Sequence, residues 1–152
     1  MNLRAFILTA CLLLPLDLRA QVSAYLSSVG TRAVDARDVR HDGNTYPRKH
    51  PPWLDDIVKT ARPDYSYADR SQHHTGVGWF AIYLDLKTGV PTRIGVLKST
   101  GFASLDNCAI ASFRRWRWKP AKWKEIDMPV TFTLASGPPR PLPAGALNLP
   151  SR

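Results

Sequence analysis

The residues able to do chemistry are few, and their spacing argues mostly against it. His73 and His74 are adjacent and lead into an alternating apolar segment. Neighbours on a strand point to opposite faces, so they make a poor metal pair and are expected in solvent. His41 and His50 have no ligand spacing around them. Gly76-Val77-Gly78-Trp79-Phe80-Ala81 has the form G-x-G-x-x-A, but it opens a strand, whereas a dinucleotide site needs a helix N-terminus. Cys108 falls in a helical pattern and reads as a small buried hydrophobe. No Ser/His/Asp or Cys/His set has a local signature, so no enzyme, metal or cofactor role is expected. Trp116, Trp118 and Trp123 lie among Arg114, Arg115, Arg117, Lys119, Lys122 and Lys124. Aromatics that stack and cations that pair phosphate suit nucleic acid or anionic lipid. Trp116, however, sits on an apolar helical stripe and is expected to pack. Its basic neighbours then form a solvated face, or one that meets an acidic surface.

The elements that position these residues are legible from residue 76 onward. In residues 76–86, Phe80, Ile82, Leu84 and Leu86 alternate with Trp79, Ala81, Tyr83 and Asp85, the period of a strand. Lys87-Thr88-Gly89 forms a turn, and residues 90–98 return as a second strand with Val90, Ile94 and Val96 on one face. Ser104 is placed as the N-cap of a helix with Asp106 in its first turn. Leu105, Ala109, Ser112, Phe113 and Trp116 make its core stripe, Arg114, Arg115 and Arg117 crowd its last turn, and Pro120 stops it. In residues 126–134, Ile126, Met128, Val130, Phe132 and Leu134 alternate with Asp127, Pro129, Thr131 and Thr133. Such a strand lies in a sheet covered on one side, and Pro129, which cannot donate to a ladder, predicts either an edge strand or a strand that starts at Pro129. The expected fold is α+β: a small antiparallel three-stranded sheet with one helix packed on one face, in the order ββαβ. A core that small gains from dimerisation or partner binding.

The rest of the 152 residues reads as address, linker and tail. Residues 1–20 carry Arg4, an apolar run over residues 5–16 and a terminal Ala20, the pattern of a cleavable signal peptide. At about 1.5 Å per residue the apolar run is too short for the roughly 30 Å hydrocarbon core. Leu8-Thr9-Ala10-Cys11 offers a lipoprotein-like alternative, and an uncleaved anchor a second. Residues 21–62 lack a sustained apolar period and read as a flexible linker with a short helix near residues 53–61. The domain is placed at residues 63–134, and residues 135–152, rich in Pro and Gly, read as a disordered tail. Lys and Arg number 21 against 12 Asp and Glu, a net +9 that suits an acidic partner. Two cysteines exclude a disulfide scaffold.

Taken together, these residues resemble the C-terminal domain of TonB-type energy transducers. The motifs are Pro63-x-Tyr65, Gly76-Val77, the Gly89-Val90 turn and Ser99-Thr100-Gly101-Phe102-x-x-Leu105-Asp106. They continue with Cys108-Ala109-Ile110, then Arg114-Arg115-Trp116-Arg117-Trp118-Lys119-Pro120-Ala121, similar to the family's RRWRF-x-P helix end, and the terminal strand of residues 130–134. Ser66 stands where the family often has proline, and Trp123-Lys124-Glu125 where a glycine-containing turn is common. The resemblance implies a periplasmic binding module that pairs an extended segment of a TonB-dependent outer-membrane receptor as an added strand. The partner-binding residues it suggests are Val130, Thr131, Phe132 and Thr133 for the rim, with Pro63, Tyr65, Arg115 and Arg117 beside it. It also brings in inner-membrane motor proteins as partners; the small core adds a homodimer, and export argues against nucleic acid. The alternatives are a cationic envelope protein docking peptidoglycan or anionic lipid through residues 114–124, and a signal-anchored transducer on the periplasmic side of the inner membrane.

Overall fold

The computed structural model describes residues 21–135. The expected signal segment and most of the expected tail therefore lie outside the described residues. In chain order the elements are β1 (Gln21–Leu26), β2 (Arg32–Asp35), β3 (Arg40–Asp42), α1 (Pro52–Asp55), β4 (Ile57–Lys59), α2 (Tyr67–Ser71), β5 (Gly76–Leu84), β6 (Pro91–Lys98), α3 (Ala103–Arg114), β7 (Arg117–Trp118) and β8 (Trp123–Ala135). The main sheet is antiparallel and six-stranded. It runs β3-β2-β8-β5-β6, with β1 also paired to β8, and β4 and β7 form a separate pair.

The hairpin, helix and last strand occur in the expected order, but the sheet is not three-stranded. Residues 21–62 do not behave as a linker. They supply three strands of the main sheet, and the helix expected near residues 53–61 is the single turn α1 followed by β4. Trp53, fully buried, anchors this region: its ring meets Tyr46 and Trp123 edge-on at 5.6 and 5.5 Å.

Period-two patterning sets the core face. Phe80 and Ile82 of β5 and Ile126, Met128, Val130 and Phe132 of β8 are at most 1% exposed. Leu105, Ala109 and Phe113 of α3 close over them. Each fully buried side chain of this size contributes about 1.5–3 kcal/mol of transfer free energy.

The helix start differs from expectation. The N-cap is Phe102, without a side-chain hydrogen bond, and Ser104 lies inside the helix, donating its hydroxyl to Asp69. The turn that enters the helix is fixed instead by Asp106, which accepts from the Thr100 amide at 2.8 Å, the Thr100 hydroxyl at 2.7 Å and the Ser99 hydroxyl. The helix also ends before Pro120. Trp116 and Trp118 turn inward, their indole N–H groups donating to the Ala61 and Trp53 carbonyls, and the chain straightens into β7. Trp123 likewise donates to Asp56. All three tryptophans are core residues and present no stacking platform.

Candidate partner-binding edge

The candidate rim is the backbone of β8 at residues 130–133. On one flank it pairs β5, with Gly78 opposite Val130, Val77 opposite Thr131 and Gly76 opposite Phe132. Gly76 is required there, because a Cβ would lie 2.1 Å from the Thr100 carbonyl oxygen. The other flank was expected to be open, and it is not. β1 pairs it antiparallel from Gln21 opposite Ala135 to Leu26 opposite Val130. Further along, β2 pairs residues 123–127 of the same flank. β8 is an interior strand, which corrects the edge inferred from Pro129.

Pro129 is accommodated differently. It sits opposite Trp79 in β5, while on the other flank the pairing of β1 stops at Val130 and that of β2 begins at Asp127. On that flank the residue without a backbone donor falls at the break between the two strands, opposite neither.

The remaining candidate residues gather less than the sequence suggested. Pro63 and Tyr65 are buried. Tyr65 stands edge-on to Phe132 at 5.3 Å, and its hydroxyl donates to the His74 carbonyl. It braces β8 from the core side, and burial pushes its phenol up from the ordinary value. Arg115 is exposed and donates to the Arg62 carbonyl at 3.1 Å. Arg117, in β7, donates to the Arg114 carbonyl at 3.0 Å. Thus the structure brings Tyr65 to Phe132, whereas the two arginines are tied to local carbonyls.

His74 is not a solvent residue either. It pairs with Asp69 at 2.9 Å and stacks on Phe102 at 4.0 Å. Among the described residues no group of His, Cys, Asp and Glu could hold a metal ion. Cys108 is half-buried and unpaired, its thiol pushed up by desolvation first and by Asp69 and Asp64 after it.

Two features escaped the sequence reading. One is β1, whose Val22, Ala24 and Leu26 do alternate with Ser23 and Tyr25, too briefly to stand out beside the apolar segment before it. The other is the outer flank of β6, the strand expected over residues 90–98: among the described residues it pairs only with β5, with Val96 and Leu97 exposed.

Residues 61–134 match the family described as the Gram-negative bacterial TonB protein C-terminal. That segment, from just after β4 into β8, is identified as a TonB C-terminal domain, which suggests a TonB-like, transport-associated module. Neither the curated proteins nor the solved structures compared with the chain include a match. The match begins after β1 and β2. The two strands that close the outer flank of β8 therefore come from outside the matched domain.

Proposed function

We propose that the chain is a non-enzymatic periplasmic adaptor that engages a TonB-dependent outer-membrane transporter by pairing an extended segment of it with β8. Residues 1–20, with their basic start and short apolar run, would direct export and be removed. The observation that carries this reading is the flank of β8 itself. Within the matched domain, residues 130–132 are paired by β5 on one side only, and the other side of residues 130–133 is covered by a six-residue strand from outside it. A row of backbone N–H and C=O groups in that position recruits an extended peptide, with side-chain contacts at alternate residues selecting the sequence. Val130, Thr131, Phe132 and Thr133 supply the backbone, and Tyr65 holds Phe132 from behind.

The test is an NMR titration of the whole chain with N-terminal peptides from co-resident outer-membrane receptors. Shifts concentrated on the amides of residues 130–133 are expected. Their absence at about millimolar peptide, a concentration at which even a 1 mM site is half occupied, removes the reading.

A further inference from the structure

β1 covers the rim that a partner segment needs, and its attachment is one-sided. One flank pairs β8, and no strand pairs the other among the described residues. Of its described side chains, Leu26 is fully buried and Ala24 half-buried against the core. After it, the chain turns through residues 27–31, where the Thr31 hydroxyl donates to the Ser28 carbonyl at 2.9 Å and Gly30 takes φ +79°. β2 then makes its own separate contact with residues 123–127 of β8. Release of β1 about this turn leaves the β2–β8 pairing in place.

We propose that β1 is a resident strand which the partner segment replaces, and that its sequence is the template for what the rim accepts. This rests on the strand-pairing function argued above. A bare rim would leave buried backbone groups unpaired, each costly, so one extended segment is exchanged for another. The incoming segment runs antiparallel to β8. It places an apolar residue of leucine size opposite Val130, where Leu26 now sits, and a small residue opposite Phe132, where Ala24 now sits. Because β1 is tethered through only a short turn, it competes at high effective concentration. The partner's apparent affinity is lowered by the fraction of molecules whose rim is occupied.

The probe is a labelled peptide of residues 21–30 of this chain, followed by fluorescence anisotropy against the whole protein and its Leu26→Ser variant. The variant should bind the peptide about tenfold or more tightly than the unaltered protein, since its own strand is weakened. A peptide carrying Leu26→Asp should bind neither. Equal binding to both proteins, or none to the variant, overturns the exchange. Hydrogen exchange on the unaltered protein gives a second reading that needs no variant. Amides of residues 22–26 should exchange through an opening cheaper than that of β5, and equal protection of the two overturns the proposal. Receptor peptides that bind both proteins equally would leave the adaptor function standing and overturn the exchange. A self-peptide that binds the variant while receptor peptides do not would do the reverse.

Discussion

Leu26 and Val130 stand directly opposite each other across the β1–β8 pair, and neither is exposed to solvent. Their burial is equal but their positions are not, since Val130 lies in a strand paired on both flanks and Leu26 ends a strand paired on one. Leu26→Ala is expected to cost about 2–5 kcal/mol if β1 opens only with the whole domain. It costs less in global unfolding if β1 opens alone. Urea denaturation paired with amide exchange separates the two. A small shift in midpoint with much faster exchange at residues 22–26 is the outcome expected here.

Gly89 and Gly101 give a controlled comparison. Both have positive φ, +68° and +99°. A Cβ on Gly89 would lie 1.9 Å from the Trp118 carbonyl oxygen, whereas one on Gly101 meets nothing within 4 Å. Gly101→Ala should cost only the backbone strain, about 1–3 kcal/mol. Gly89→Ala should cost more, because the Trp118 amide bonds the Gly89 carbonyl at 3.0 Å and the two segments cannot part without losing that bond. Denaturation midpoints of the two variants check the order; a larger loss for Gly101→Ala would contradict the packing.

Asp106 accepts three hydrogen bonds from Ser99 and Thr100 and fixes the turn that enters α3. Asp106→Ala strands the buried Thr100 amide, while the Thr100 hydroxyl keeps the Phe102 carbonyl at 3.1 Å as an acceptor, with an expected loss of about 1–3 kcal/mol. Ser104→Ala, the cap suggested by the sequence, should cost less, because its hydroxyl serves Asp69, which His74 and Ser66 also bond. Thermal unfolding of the two variants decides which residue holds the helix start.

The legible part of the fold follows from period and length. β5 and β8 alternate over eight residues or more, β6 follows from the turn at Gly89, and α3 keeps one apolar stripe for three turns. β1, β2 and β3 have six, four and three residues, too few for a pattern to emerge from composition that otherwise reads as linker. Pro129 misled for a physical reason. Its missing donor predicts an edge, yet an interior strand tolerates it where two partners meet end to end. The candidate site was legible in which strand it used and illegible in what covered it, because pairing across more than a hundred residues leaves no local trace in Leu26 or Val130. Tyr65 was found by motif, but its role behind Phe132 depends on the core and could only be seen in three dimensions.

Opposed carboxylates set the response to acid. The Val39 amide, against the cost of burial and with help from the Arg37 amide and His41, holds Asp35 down to about 2. Asp56 and Asp106 are also lowered: despite burial, Lys122, Trp123 and Lys119 prevail at Asp56, and Ser99 and Thr100 at Asp106. Asp127 goes the other way. Burial first and Glu125 second push it up, against Arg32 and Arg40, and its Oδ1 has no hydrogen-bond partner. A depressed carboxylate stabilises the fold above its unfolded value near 4, and that contribution fades as pH falls toward the folded value. A raised one does the reverse, and its penalty grows as pH rises from the unfolded value through the folded one. Asp127→Asn should therefore raise the melting temperature at pH 7 and lose that advantage below about pH 4. Asp35→Asn should lower it at pH 7, with the difference narrowing between about pH 4 and 2. Melting curves of both variants across that range check the signs. A loss of stability at pH 7 in Asp127→Asn would mean that the Arg32 contact, at 3.6 Å, outweighs burial of the charge.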